Sequence, residues 1–98
     1  MLEILNIKLI IGCANSDGLI GFGYSHDGYW NDNYKAKGSR TLLECADTCL
    51  QDCVAIIFAI IFDDNFCLHY SYKADISSAN VEFSSDYKAY IKCPGNNR

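Results

Sequence analysis

Histidine is scarce in this chain of 98 residues, and its basic residues are not clustered. The two histidines, His26 and His69, lie far apart along the sequence, and the eight lysines and arginines are scattered through a chain of net charge −4. Nucleic-acid binding needs a basic stripe that displaces counterions from phosphates, so we do not expect it. No Ser/His/Asp or Cys/His arrangement is credible, and we therefore predict no catalytic residues, no cofactor and no enzymatic activity.

The chain also lacks the cysteine pattern of a metal site. Small zinc sites show C-x-x-C pairs or histidines at helical spacing, whereas Cys45, Cys49 and Cys53 follow one another with three residues between them. Six cysteines in so small a chain instead predict a disulfide framework, formed in an oxidising compartment, and no metal site. Counting alone cannot choose among the possible pairings.

No apolar run is long enough for a transmembrane helix. The first twelve residues, MLEILNIKLIIG, carry Glu3 and Lys8 where a secretory leader would have a basic start and an unbroken apolar run. Apolar and polar residues alternate from residue 5 onward, which predicts an N-terminal β-strand or arm over residues 1–12. The segment is either an ordinary strand paired within the domain or an edge left for another chain. In the second case it is a candidate assembly strand through Leu5, Ile7, Leu9 and Ile11.

Residues 13–38 are rich in glycine, asparagine, aspartate and aromatic side chains. Asp17-Gly18 and Asp27-Gly28 are typical turn dipeptides. Short strands are expected between and after them, over residues 19–24 and 29–36. This segment therefore predicts a β-hairpin with irregular loops.

The stretch 41–68 contains four of the six cysteines and the clearest helix signal. Thr41 and Glu44 form a capping-box pattern. An apolar stripe at helical spacing follows, made of Leu42, Cys45, Ala46, Cys49 and Leu50. We expect this helix to end near residue 51 or 52. The nine apolar residues 54–62 then predict a central strand that is covered on both faces.

The remainder of the chain predicts strands and connections of a single domain. Asp63, Asp64 and Asn65 indicate a solvated turn in preference to a calcium or paired-carboxylate site. A returning strand is expected over residues 66–72, then a polar connection over 73–85. Alternation over residues 87–92 predicts a last strand that ends at Cys93. Residues 94–98 form a polar tail.

An aromatic cluster in residues 22–34 is the most suggestive patch for ligand binding. Aromatic rings stack on sugars and are enriched at protein interfaces, and aspartate and asparagine lie beside them here. The alternative is that these rings fill a small core. The candidate ligand-binding residues are Tyr24, His26, Tyr29, Trp30 and Tyr34. A fully buried Trp30 would remove the carbohydrate version of this hypothesis.

The order of these features resembles the PAN/apple domain family. The matching features are a capped helix with Cys45 and Cys49 one turn apart, Cys53 at the start of an apolar strand, and Cys67 in the returning strand. Cys13 and Cys93 resemble the extra pair of apple-type members. The likeness covers about residues 13–93, with residues 1–12 outside a minimal module.

The resemblance implies an α+β fold, in which a curved antiparallel sheet carries one packed helix. It also implies three disulfides, Cys45–Cys67, Cys49–Cys53 and Cys13–Cys93. PAN and apple modules are non-enzymatic and bind proteins or carbohydrates outside the cell, so the resemblance implies a secreted or cell-surface recognition or adhesion module.

Two functions remain as hypotheses from the sequence. The first is recognition of a carbohydrate or protein ligand through residues 24–34. The second is an extracellular structural subunit, of a filament or matrix, that self-associates through the N-terminal strand.

Overall fold

The protein folds around one five-stranded antiparallel sheet, and the computed structural model describes residues 17–96. The strands are β1 (Phe22–Trp30), β2 (Lys35–Ala36), β3 (Cys53–Ile61), β4 (Asp64–Ser71) and β5 (Val81–Lys92). One helix, α1 (Leu42–Asp47), and a 3₁₀ turn, Ser78–Asn80, complete the described part of the chain. The strand order is β1-β5-β3-β4-β2. The expected small domain with an antiparallel sheet and one helix is confirmed in outline, although sheet predominates and the α+β label fits only loosely.

β3 is the central strand, as its unbroken apolar run predicts. It pairs with β4 on one side and with β5 on the other. Ala55, Ile56 and Ile57 are all buried, so both faces of the sheet are covered here. Neighbouring residues of a strand point to opposite faces, and Ile56 accordingly belongs to a different core cluster from Ala55 and Ile57.

The two core clusters lie on opposite faces of the sheet and are covered by different segments. Ile56 packs with the α1 residues Cys45 and Ala46 on the helix side. On the other face, Ala55 and Ile57 pack with Trp30 and Tyr70. Ala74 and Ile76 of the connection between β4 and β5 add to that second cluster.

α1 begins at the predicted capping box but ends earlier than expected. The Glu44 amide donates to the Thr41 hydroxyl at 3.1 Å, and the Thr41 amide donates to the Glu44 carboxylate at 2.9 Å. At the other end, the Thr48 hydroxyl donates to the Glu44 carbonyl at 2.8 Å. This local bond satisfies a terminal carbonyl and favours ending the helix there. Leu50, which we assigned to the buried stripe, therefore lies beyond the helix and is exposed.

The predicted hairpin of residues 19–36 is wrong, because one continuous strand, β1, runs through its expected turn. Asp17 and Gly18 form a turn as expected, but Asp27 and Gly28 lie inside one strand, at an irregularity in its pairing with β5. The positive φ of Gly28, 139°, is used at this bulge, where its backbone lies against Glu82. A turn-forming dipeptide also suits a bulge, and the sequence pattern does not distinguish the two.

Two further boundaries differ from the predictions. The β3–β4 turn is made by Phe62 and Asp63, both with positive φ, and Asp64 already belongs to β4. Two residues with positive φ are typical of a type I′ hairpin turn. β5 starts at Val81, inside the predicted polar connection.

Two disulfides join α1 and its following loop to the sheet. They are Cys45–Cys67 and Cys49–Cys53, the same pairs that the family resemblance implies. Cys93 is also disulfide-bonded, whereas Cys13 lies outside the described residues. The whole predicted N-terminal arm, residues 1–12, with its assembly strand (Leu5, Ile7, Leu9 and Ile11), also lies outside them. A six-residue helix is too short to be stable alone, so this cross-linking and its buried face stabilise it.

Candidate functional site

The five candidate ligand-binding residues do not form one surface. Trp30 is 1% exposed and lies in the core, with its ring 5.3 Å from that of Tyr70 and 4.9 Å from that of His26. It offers no ring face to a ligand, so its assignment to a binding surface is wrong. The alternative reading, that large aromatic side chains fill a small core, is the correct one for this residue.

Tyr24 lies in a polar group on the outer surface. Its hydroxyl donates to the Asp27 carboxylate at 2.6 Å, and the Lys88 ammonium is 5.5 Å from its ring centre. The bond to Asp27 raises the pKa of Tyr24 to about 12, and the same bond lowers the pKa of Asp27. These side chains satisfy one another, which favours a structural role across β1 and β5.

His26 and Tyr29 contribute mainly to packing. Tyr29 lies against Tyr87, with ring centres 5.3 Å apart, and His26 packs between Trp30 and Phe83. Burial lowers the pKa of His26. Its Nδ1 lies 2.9 Å from the neighbouring Ser25 hydroxyl, but no carboxylate of residues 17–96 is hydrogen-bonded to the ring, so a catalytic triad is not formed there.

Tyr34 lines a cleft at the edge of the sheet. This edge cleft has a volume of about 750 Å³ and lies beside β2, at the end of the sheet where β3 begins and β4 ends. One wall is formed by residues 33–37, the other by residues 48–53, and β4 residues His69, Tyr70 and Ser71 form the floor. Its volume is within the range of ligand-binding sites.

The first wall is fixed by hydrogen bonds to two neighbouring segments. The Asp32 carboxylate accepts the amides of Asn33 at 2.6 Å and of Asp75 at 2.7 Å, and these bonds lower the pKa of Asp32. Two residues on, Lys35 pairs with His69 of β4, and the Lys37 amide donates to the Cys67 carbonyl at 2.7 Å. Since alternate residues of a strand share a side, Lys35 and Lys37 both line the edge cleft.

The second wall is a short loop closed by the Cys49–Cys53 disulfide. Within it the Cys53 amide donates to the Leu50 carbonyl at 2.8 Å, and the Lys92 ammonium donates to the same carbonyl at 2.9 Å. The loop is therefore held both by its own backbone and by Lys92 of the neighbouring strand β5. It presents the exposed Leu50 side chain and the Asp52 carboxylate to the edge cleft.

Positive charge is concentrated around this cleft although the chain as a whole is acidic. Four of the six lysines and arginines in residues 17–96 lie at or beside it: Lys35, Lys37, Arg40 and Lys92. The Arg40 Nε donates to the Lys37 carbonyl at 2.7 Å. Within residues 17–96, neither Lys35 nor Lys37 forms an ion pair. Asp52 is the one acidic residue in the lining.

The pKa of His69, on the floor of the cleft, is affected by this positive charge. Its Nε2 donates to the Cys45 carbonyl at 2.9 Å, which ties β4 to α1. Burial lowers the pKa of His69, and the positive charges of Lys37, Arg40 and Lys92 lower that pKa further. The residue is therefore a neutral donor at neutral pH.

No metal site follows from the neighbouring sulfur atoms. Cys45, Cys67 and His69 place their potential ligand atoms within 4.8 Å of one another, and they are the one such group in residues 17–96. The two cysteines are joined in a disulfide, so neither offers the thiolate that binds a metal ion.

Sequence reasoning found only Tyr34 among the residues that line the edge cleft. The Lys35-x-Lys37 alternation was visible in the sequence, but β2 is only two residues long and gives a weak strand signal. The walls lie more than ten residues apart in the chain, and only the pairing of β2 with β4 brings them together.

Comparison with protein-family models, with characterised protein sequences and with solved structures finds no match to this chain. Within residues 17–96, no helix has the length and apolar character needed to cross a membrane.

Proposed function

We propose that this chain is a non-enzymatic recognition domain of PAN/apple type that works outside the cell and binds a protein ligand in the edge cleft. The cleft carries the proposal, because it combines the exposed Tyr34 and Leu50 side chains with two lysines that have no ion-pair partner within residues 17–96. The disulfides support an oxidising compartment. The PAN/apple assignment is supported by the pairing of four cysteines and by one helix packed on an antiparallel sheet.

A protein ligand is favoured over a carbohydrate. The carbohydrate hypothesis depended on Trp30 as a stacking platform, and Trp30 is buried. In the edge cleft Tyr34 is 53% exposed, but its neighbours are Leu50 and the two lysines, which suit an aromatic side chain followed by carboxylates. The ligand we infer is therefore a protein segment with an aromatic residue beside acidic ones.

This function is tested with a minimal peptide probe. Acetyl-Phe-Asp-Asp-amide is titrated into ¹⁵N-labelled protein, and amide shifts are followed in two-dimensional NMR spectra. We expect shifts confined to residues 33–37, 48–53 and 69–71, with a Kd on the order of 1 mM, about 4 kcal/mol of binding free energy. The neutral peptide acetyl-Phe-Asn-Asn-amide should bind more weakly, because it lacks the charges that pair with lysine.

Variants locate the binding to the cleft. Lys35→Gln with Lys37→Gln should raise the Kd of the acidic peptide several-fold, whereas Lys73→Gln, outside the cleft lining, should leave it unchanged. Shifts outside the cleft, or equal binding of both peptides, would contradict the proposal. Shifts at the cleft with monosaccharides such as galactose, and none with the peptides, would replace protein recognition by carbohydrate recognition.

A further inference from the structure

The most exposed aromatic side chain in residues 17–96 lies at the opposite end of the sheet from the edge cleft. Phe62 is 95% exposed at the hairpin tip, the turn between β3 and β4 made by residues 61–64. It has a φ of 52°, a left-handed conformation that is unusual for a bulky residue. Asn-Gly would form the same turn without this strain. A strained and fully exposed phenylalanine therefore points to a role for its side chain outside the domain.

The hairpin tip carries an aromatic ring and carboxylates, which complement the lining of the edge cleft. Phe62 is followed by Asp63 and Asp64, both exposed, and neither forms an ion pair with residues 17–96. The cleft offers the complement, with the exposed Tyr34 and Leu50 side chains for the ring and Lys35 and Lys37 for the carboxylates. A two-residue turn is the narrowest way to join two strands, so such a tip can enter a cleft of about 750 Å³.

The tip of one chain cannot reach its own cleft. β3 and β4 pair from Cys53–Ser71, which line the cleft, to Ile61–Asp64 at the tip. Eight residue steps along an extended strand separate these two ends by about 26 Å. Contact between the tip and the cleft therefore has to be made between two molecules.

We propose that the occupant of the edge cleft is the hairpin tip of a second copy of this chain, with the Phe62 ring against Tyr34 and Leu50 and with Asp63 and Asp64 beside Lys35 and Lys37. This inference rests on the proposed function of the cleft and names its partner. Each molecule uses a different surface for each neighbour, so the contact is head-to-tail. Such a heterologous contact leaves a free tip and a free cleft at the two ends of the assembly. The resulting assembly is an open chain unless its rotation closes a ring.

The contact is expected to be weak and sensitive to salt. One turn inserted in one cleft is well below the area of a standard protein interface, so association should appear only at high concentration. Exposed charges more than a Debye length apart are screened, and even close pairs weaken as salt is added. Raising sodium chloride from 50 mM to 500 mM should therefore weaken the association at least threefold.

Sedimentation velocity from 10 µM to 1 mM at low salt tests the inference. The weight-average sedimentation coefficient of the wild-type protein should rise with concentration. The tip variant, Phe62→Asn with Asp63→Gly, should remain monomeric and be at least as stable as wild type, because Asn-Gly suits this turn. The cleft variant, Lys35→Gln with Lys37→Gln, should associate at least tenfold more weakly.

Matched controls separate this contact from general stickiness or charge. Phe83→Thr removes another exposed phenylalanine, 78% exposed in β5, and should associate like wild type. Ser78→Asp with Ser85→Asp changes the net charge by the same amount as the cleft variant and should associate within twofold of wild type. Circular dichroism confirms that each variant is folded before its association is measured.

Mixing the two defective variants gives the decisive result. An equimolar mixture has one intact cleft and one intact tip, so it should form dimers and nothing larger. A wild-type protein that stays monomeric to 1 mM, tip variants that associate like wild type, or a mixture that stays monomeric would overturn the inference. If the acidic peptide still binds at the cleft in those cases, the recognition function stands with another partner. If the peptide also fails to bind, both proposals are wrong.

Discussion

The Tyr70 hydroxyl forms two hydrogen bonds with the main chain of Trp30. It donates to the Trp30 carbonyl at 2.9 Å and accepts the Trp30 amide at 3.3 Å. Trp30 is the last residue of β1 and Tyr70 lies in β4, so this side chain connects two strands that are separated by β5 and β3. Burial raises the pKa of Tyr70 to about 12, and the hydroxyl remains a donor throughout the physiological range.

Tyr70→Phe should destabilise the fold because it removes both hydrogen bonds between the Tyr70 hydroxyl and the buried main chain of Trp30, whose carbonyl then keeps the Asp32 amide as a donor at 2.9 Å. The expected loss in the free energy of unfolding is about 1–3 kcal/mol, measured by urea denaturation. Tyr72→Phe is the matched control, because Tyr72 is exposed, and its effect should stay within about 0.5 kcal/mol. Equal effects of the two substitutions would mean that the hydroxyl bonds at Trp30 contribute nothing.

Gly28→Ala should be among the most costly single substitutions. A Cβ at this position would collide with the Glu82 carbonyl oxygen and lie 2.9 Å from the Phe83 Cα, at a φ of 139°. We expect a loss of more than about 2 kcal/mol in the free energy of unfolding. Gly38→Ala is the control, since Gly38 also has a positive φ but nothing lies within 4 Å of its Cβ position. Its cost should be about 1 kcal/mol, from the backbone conformation alone. A tolerated Gly28→Ala would show that β1 does not bulge against β5 there.

Thr41→Ala should remove half of the capping box of α1. The Thr41 hydroxyl accepts the Glu44 amide at 3.1 Å, and losing an N-cap of this kind costs about 1 kcal/mol. Thr41→Ser keeps the hydroxyl and should cost less than about 0.5 kcal/mol. Thermal unfolding followed by circular dichroism compares the two variants. A serine variant as unstable as the alanine variant would point to packing of the threonine methyl group instead.

His69 should make stability depend on pH in a defined direction. Its pKa in the folded protein is lowered, chiefly by burial and further by nearby lysines and an arginine. The unfolded chain has the ordinary histidine pKa of about 6.5 and therefore binds more protons in the interval below it. The stability contributed by neutral His69 is thus fully present above about pH 6.5 and is lost as the pH falls through the lowered folded pKa.

Urea unfolding of wild type and of His69→Gln between pH 7.5 and pH 5 measures this contribution. Glutamine keeps an N–H donor for the Cys45 carbonyl but does not titrate. The stability advantage of the wild-type protein should shrink as the pH falls. Carboxylates with lowered pKa values, such as Asp32, act in a lower interval and affect both proteins alike. An advantage that grows as the pH falls would show that His69 is charged in the fold.

The parts of the fold that the sequence predicts well are those with strong local signals. The capping box at Thr41 and the apolar residues 54–62 correctly predict where α1 begins and that β3 is central. The parts that the sequence predicts less well have local signals that fit two different structures. Asp27-Gly28 suits both a turn and a bulge, and Thr48 ends α1 through a bond that periodicity does not report.

The candidate site was less predictable than the fold because it depends on contacts between distant segments. Tyr34 was named from composition, and so was Trp30, yet one lines the edge cleft and the other is buried. Aromatic residues serve a core and a surface equally well, and only the strand order decides between them. Phe62 was likewise read as the end of a buried strand, whereas the hairpin turn places it in solvent.

Amide chemical shifts of the ¹⁵N-labelled protein, compared at 20 µM and at 1 mM in low salt, test directly whether the hairpin tip of one molecule enters the edge cleft of another. Raising the concentration should shift two separate sets of residues together, 61–64 at the hairpin tip and 33–37 with 69–71 at the edge cleft. Both sets should stop shifting in the Phe62→Asn, Asp63→Gly variant. Spectra that do not change with concentration, or changes that fall on neither the tip nor the cleft, would contradict this contact between two copies.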